Sequence, residues 1–415
     1  MLDNAGSTAG ISWKRNFYTL WVAQIIAIIG FQSVQPFLPY YIQELNIDNL
    51  ADASIWAGYL GTVHGFSMAL SAPIWGAIAD RFGRKPMVVR AMVGGGVTVI
   101  LTAFVGTVEQ LLVVRFLHGV LSGSVTASIT MVSTTTPKAH LGYALGMMST
   151  AFMFGGAIGA LIGGPAIDYF GYYNCFIASG LLVVLAGIMV QSQVREHFQR
   201  TAKAARKSFL NDARRVLQIG NFRVVLVCIS LMQFSFAVVM PVFPLFLQEL
   251  AQTTNIASLA GPIFASSMLV GGLSSAAVGR WSSRIGVQRG LVGGLAITAF
   301  FFFAEGLAPT LKIFVTLMIL GGISGGALRP LTNLLVSQII PEEDRGKAFG
   351  VLTSASALGW GAGPAIGGYM GAHLGFRTVF FFTSALFVLV ALWVWRAMRQ
   401  MHSEPSDSEP IFSPN

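Results

Sequence analysis

Pro36-Phe-Leu-Pro39-Tyr-Tyr-Ile-Gln43-Glu44-Leu45 returns 205 residues further on as Pro241-Val-Phe-Pro244-Leu-Phe-Leu-Gln248-Glu249-Leu250. A second block, Pro137, Gly142, Gly146, Gly159, Gly163, Gly164, Gly171 and Phe176, recurs as Pro341, Gly346, Gly350, Gly363, Gly367, Gly368, Gly375 and Phe380, displaced by 204. Gly76, Arg81 and Gly83 recur more weakly as Gly279, Arg284 and Gly286, displaced by 203. Three blocks in one order at nearly one displacement mark a duplicated unit that fills the chain.

Composition says what kind of unit is repeated. The 415 residues are 54% hydrophobic and 10% charged, against about 25% charged in soluble proteins. In hydrocarbon every backbone N–H and C=O must find its partner within the protein, which leaves helices or closed barrels. The apolar runs reach the roughly 20 residues of a spanning helix and lack the roughly ten-residue alternation of a barrel strand. Twelve spans are predicted, at 17–44, 54–79, 86–106, 110–134, 142–166, 172–194, 221–249, 258–280, 288–307, 311–337, 346–371 and 376–398. The first, behind Lys14 and Arg15, exceeds the about 7 to 15 apolar residues of a cleaved signal. Six spans per unit is an even number, so both units enter from the same side. The reading is an all-α membrane protein of twelve helices in two parallel, pseudo-symmetric six-helix halves, able to rock about a central site.

Charge orients it. With the N-terminus inside, 22 of the 26 Lys and Arg fall on cytoplasmic segments, as the positive-inside bias requires. Lys312 and Arg377 lie near the outer side, and Arg115 and Arg329 lie within spans. The net charge of +9 therefore reports sidedness and contact with anionic lipid headgroups, and no nucleic-acid partner is expected. The divisions are a cytoplasmic N-terminus (1–16), an N-terminal half (17–194), a cytoplasmic linker with an amphipathic helix (195–220), a C-terminal half (221–398) and a disordered cytoplasmic tail (399–415). Cys175 and Cys228 sit inside spans, so neither a disulfide framework nor a metal site is expected.

The chemistry-bearing residues are few. After span 2 the chain reads Gly76-Ala-Ile-Ala-Asp80-Arg81-Phe-Gly83-Arg84-Lys85; span 4 carries Arg115-Phe-Leu-His118-Gly119. Gly155, Gly159 and Gly163, followed by Gly164, line one face of span 5, and Gly359, Gly363 and Gly367, with Pro364 and Gly368, repeat this in span 11. A third stripe on span 2 runs from Gly58 through Gly61 and Gly65 to Gly76. Small-residue stripes let helices approach closely in lipid. Their matching positions in the two halves favour sliding contacts between the halves over static packing within one. His64 and His118 are the titratable groups nearest mid-depth and are candidate proton carriers, although a lone intramembrane His more often fills a hydrogen-bonding need. Glu44, Glu109, Asp168, Glu249 and Glu305 all fall near outer helix ends, leaving no mid-membrane carboxylate.

These motifs resemble the major facilitator superfamily, and within it the twelve-span drug:proton antiporters such as the MdtG-like multidrug exporters of bacteria. The departures are His118 where Gln is usual, Ala160 for a proline, and Ser133-Thr-Thr-Thr136 where a relay acid closes span 4. The resemblance implies that Asp80, with Arg81, Arg84 and Lys85 around it, latches the cytoplasmic side against the start of span 11 near Gly346. It further implies a substrate wall from spans 1, 4, 7 and 10. Those spans offer Gln32 and Gln35 with Gln24, then Gln233, Phe234 and Phe236 with Met240, then Arg329 and Asn333.

The expected function is secondary active transport: proton-coupled efflux of drugs or other lipophilic or amphipathic small molecules by alternating access. The alternative is a carrier for one defined metabolite or lipid-linked sugar. A receptor or scaffold needs no duplicated rocking core. With no zinc pair, nucleotide loop or nucleophile elbow, an enzyme is not expected. No cofactor is expected either, and energy comes from the proton gradient. The setting is a bacterial inner membrane, with both termini cytoplasmic and the protein monomeric.

Overall fold

The computed structural model describes residues 13–196, 222–253, 255–340 and 344–403, with 214, 217 and 218. Every regular element among them is helical. The amphipathic helix expected in the linker and the tail beyond 403 lie outside the described residues.

Among the described residues nine stretches are long and apolar enough to cross a membrane, and one of them, Ala139–Gln193, holds two spans. Spans 2 and 11 complete the twelve as helices Leu50–Phe82 and Arg345–Leu374. Both helices are rich in glycine and alanine, and the reason is positional. The two helices pack against each other across the halves, so one face of each meets protein where a lipid-facing helix would carry bulky apolar groups.

Several spans are broken where the sequence predicted unbroken helices. Span 1 runs as Trp13–Gln32, a 3-10 turn Gln35–Phe37, and Leu38–Glu44. Pro36 and Pro39 supply no N–H and disfavour α geometry in the preceding residue, and Ser33 Oγ donates to Ile29 O at 2.7 Å where the ladder ends. Span 4 divides into Val108–Leu121 and Ser124–Thr135 at Gly123, whose φ is +102°. Span 7 divides before Pro241 into Phe222–Val239 and Val242–Ala251. Spans 5 and 6 are continuous from Lys138 to Gln193 except at Gly171 (φ +78°), so the expected gap at 167–171 is a one-residue hinge. Span 8 is Ile256–Ile285, span 9 Val287–Leu307, span 10 Leu311–Ile339 and span 12 Phe376–Ser403. The last helix thus extends five residues past the predicted boundary of 398.

Candidate transport site

The halves meet along two helix pairs. Span 2 lies on span 11 so closely that a Cβ at Gly58 would stand 2.6 Å from Pro364 O, and one at Gly65 2.7 Å from Gly361 Cα. Ser54 Oγ donates to Gly368 O at 2.9 Å, and Ala365 N donates to Thr62 Oγ1 at 2.9 Å. Span 5 lies on span 8 in the same way: Gly164 abuts Ala257, a Cβ at Gly261 would stand 2.6 Å from Ala160 O, and Asp168 Oδ2 accepts from Ser258 N at 2.7 Å. At the outer ends Gln43 and Gln248, partners in the sequence repeat, exchange amide hydrogen bonds of 2.9 and 3.0 Å, and Tyr40 Oη donates to Pro244 O at 2.9 Å.

These contacts run from the outer ends to mid-depth, where Gly65 meets Gly361 and Met153 meets Gly272. Nearer the basic ends, Gly76, Gly142, Gly146 and Gly350 have no heavy atom within 4 Å of where a Cβ would stand. Among the described residues the two halves therefore part toward the end that carries the Arg- and Lys-rich loops. Gly76, expected to permit a close approach, faces open space in this conformation.

The glycine triplets do something other than the sliding contact expected of them. Gly155, Gly159 and Gly163 face Ile25 O, Ile29 O and Ser33 of span 1, and Gly359, Gly363 and Gly367 face Ser230, Phe234 and Val238 of span 7. Both triplets lock a helix inside its own half. A neighbour one position along points about 100° round the helix, and it is Gly164, Pro364 and Gly368 that reach the other half.

Within the N-terminal half a polar cluster joins spans 1 to 4. The His64 and His118 rings are 5.1 Å apart between centroids, and Phe31 stands edge-on to His118 at 5.5 Å. Thr98 Oγ1 is 2.7 Å from His118 Nδ1 and also donates to Gly95 O at 2.8 Å. A hydroxyl has one proton to donate, so with that proton on Gly95 the imidazole donates from Nδ1 and keeps a lone pair on Nε2. Arg115, 7% exposed, donates from Nη1 to Gln35 Oε1 at 2.9 Å. His64 Nδ1 and Arg115 Nε are buried without a hydrogen-bond partner. Gly119 seats span 4 on span 2, since a Cβ there would meet Ser67 Oγ and His64 O.

The C-terminal half divides its candidates. Phe236 packs on Phe302 and Phe387 at 6.0 and 5.1 Å, within the half's own core, so it does not line the space between halves. Phe234 packs in the apolar core beside the span 11 glycines. Gln233 is half-buried with no hydrogen-bond partner among the described residues. Arg329 and Asn333, expected on the substrate wall, are both exposed. At 100° per residue both lie on the face of span 10 that carries Gly322 and Gly326, which pack toward span 8. The exposed Ile313 and Leu320 occupy the opposite face. Gln32 reaches across the halves to Met268 Sδ at 3.7 Å, while Gln24 is turned into the N-terminal half, accepting from Ser128 Oγ at 2.9 Å.

The loop after span 2 turns at Gly83, whose φ of +99° suits glycine. Asp80 makes no hydrogen bond or ion pair among the described residues. Sequence reasoning missed the acid that does hold the loop: Glu196, just past span 6, accepts from Arg84 N and Lys85 N at 2.9 and 2.8 Å. It occupies the positive N-terminal end of span 3. Beside it, Asn16 and Arg195 exchange backbone-directed hydrogen bonds of 2.7 and 3.1 Å. The only sequence signal was an acid two residues beyond a span end, in a stretch dominated by basic residues.

Twelve helices in two halves, joined along two small-residue helix pairs and open at one end, define a carrier of the rocking type. The family model of the Major Facilitator Superfamily matches residues 20–248 and again 225–414, and the chain belongs to that superfamily. It is 30% identical over 402 residues to the multidrug resistance protein MdtG of a Rahnella species, covering 96% of this chain and 97% of that protein. It is also 30% identical to the multi-drug resistance efflux pump PmrA homolog of Lactococcus lactis, covering 93% and 95%. Among solved structures it shares the fold of a bacterial homolog of the human lysosomal transporter Spinster in an inward-facing, unoccupied conformation (TM-score 0.78, 15% identity, 97% and 100% covered). The D-xylose-proton symporter is a further match (TM-score 0.73, 16% identity, 92% and 97% covered).

Proposed function

We propose that this protein is a secondary active exporter that moves drugs or other amphipathic small molecules out of a bacterial cell in exchange for protons. It sits as a monomer in the inner membrane with both termini cytoplasmic. The observation that carries the reading is the one-sided closure: among the described residues, spans 2 and 11 and spans 5 and 8 meet from the outer ends to mid-depth and part beyond it. With basic loops inside, that arrangement is an inward-open state from which a cytoplasmic or membrane-dissolved solute is taken up. The relatives named for multidrug resistance and efflux, matched over nearly their whole length, support the direction and breadth of transport.

In this reading the proton gradient supplies the energy and no cofactor takes part. Alternating access proceeds by rocking. Asp80 is unpartnered while the cytoplasmic side is open, and it accepts from the N-terminus of span 11 near Gly346 when that side closes. The paired imidazoles of His64 and His118 carry the proton, His118 through the Nε2 lone pair left free by Thr98. Expression in a host stripped of its own pumps, challenged with a drug panel, tests the breadth. Raised tolerance to several unrelated compounds is the expected result, and transport of one metabolite alone would replace the reading. Proteoliposomes under an imposed pH gradient test the coupling, with His64, His118, Asp80, Glu109 and Glu305 replaced singly. Coupling retained in all five variants would remove every residue named here, and intact transport by well-expressed Asp80→Asn would remove the latch.

A further inference from the structure

Among the described residues the charged side chains set deepest within the spans are cations. Every Asp and Glu among the described residues stands within about one helical turn of a span end, or outside the spans. Glu305, the most buried of them at 4% exposure, lies in the C-terminal half near Phe301 and Gly321, three residues short of the end of its helix counted inclusively. Arg329 by contrast stands ten residues inside the basic end of span 10, roughly 15 Å along the helix, exposed and with no hydrogen bond or ion pair among the described residues. Arg115 stands in the opposite half with only an amide oxygen on its guanidinium and Nε unmatched.

An intramembrane cation without a carboxylate is costly, and such groups are kept where a ligand or a counter-ion meets them. A cavity of one sign, walled by low-dielectric helices, concentrates solutes of the other sign and repels its own. A binding space for lipophilic cations calls for an acid at mid-depth, and none of the described residues provides one. Asn333 stands one turn away on the same face of span 10, and Gln233 of span 7, half-buried and without a hydrogen-bond partner among the described residues, stands at a similar depth from the basic end of its own span; both amides are able to donate. A planar guanidinium forked onto a carboxylate or sulfonate, with amide N–H groups beside it, is a recognised anion-binding set.

We propose that the exported solute is an amphiphile with an anionic group, and that Arg329 on span 10 binds that group, helped by Gln233 and Asn333. The proposal rests on the export reading and narrows it: the apolar part of the solute lies along the helix walls, and its charge is negative. Arg115 contributes at longer range, raising the positive potential of the whole space.

The test is equilibrium binding to the full-length protein in phosphatidylcholine nanodiscs, with no gradient applied. Fluorescence polarisation compares carboxyfluorescein, an anion, with rhodamine 123, a cation on the same xanthene frame. The anion is expected to bind on the order of tenfold tighter than the cation. Arg329→Gln should lose on the order of tenfold in carboxyfluorescein affinity, while Arg329→Lys, which keeps the charge, stays within about threefold. Rhodamine 123 binding the tighter of the two, neither dye binding, or an Arg329→Gln affinity equal to that of the wild type would each overturn the proposal. The wild-type comparison stands even if a variant fails to fold. Failure of the export reading shows separately: proteoliposomes under a pH gradient would then move neither dye, whatever the binding assay finds.

Discussion

A methyl group added at Gly119 would stand 2.5 Å from the His64 carbonyl oxygen and nearer still to Ser67 Oγ, in the seam between spans 2 and 4. Neither neighbour is a flexible chain end. The carbonyl belongs to a helix backbone, and Ser67 Oγ donates to that same carbonyl at 3.0 Å. Gly119→Ala must therefore push span 4 away from span 2, at about 1 to 3 kcal/mol. It would also disturb the 5.1 Å spacing of the His64 and His118 rings. The expected outcome is a lower thermal midpoint with impaired transport, whereas Gly123→Ala would strain only the αL hinge at φ +102°, where nothing stands within 4 Å. Melting curves of the two purified variants, read beside their transport rates, check the difference. At this scale the sequence was informative about residue types and silent on their partners. It singled out His64, His118 and Arg115 because intramembrane ionisable groups are rare, yet Thr98 and Gln35 carry no mark in a linear string. Phe236 was misjudged because the sequence gives depth along a helix without saying which face looks into the central space.

Among elements, the same limit explains the glycine stripes. Spacing by four shows that Gly155, Gly159 and Gly163 share a face, and it cannot show which helix that face meets. The close seat on span 1 uses that face, and the contact with span 8 falls to Gly164, one position along. Likewise the loop after span 2 was legible as a gating element, but its structural anchor was not, since Glu196 lies more than a hundred residues away in sequence. The two acids of this region are separable by experiment. Glu196 holds the N-terminus of span 3 within its own half, and an anion there is worth about 0.3 to 1 kcal/mol, rising to about 2 when partly buried. Glu196→Ala should lower the thermal midpoint of the purified protein by about 2 to 4 °C per kcal/mol lost. Asp80→Asn, with no partner to lose in this conformation, should leave the midpoint unchanged while slowing transport. Equal midpoints for Glu196→Ala and wild type would show that the clamp contributes nothing to stability.

For the molecule as a whole, the duplication was the most legible feature, because a repeat displaced by about 204 residues survives any error in individual span boundaries. What it could not supply is the conformational state. That is written in the contacts between repeat mates: Gln43 and Gln248, equivalent positions in the two halves, exchange both amide hydrogen bonds where the outer ends meet. Rocking to an outward-open state must break this pair, together with Tyr40 to Pro244 and Asp168 to Ser258, and must close the gap now left around Gly76 and Gly350. Replacing both glutamines by cysteine puts thiols at the two positions. The native Cys175 and Cys228 are buried, so a short bifunctional thiol reagent should act mainly on the new pair. If rocking is the transport motion, bridging the pair should abolish turnover while leaving substrate binding from the basic side intact, and reductive cleavage of a disulfide-bearing bridge should restore turnover. A bridge that forms in full and leaves transport at the uncrosslinked rate would show that the outer ends stay together through the cycle. The solute would then have to leave by a path other than the seam between the halves.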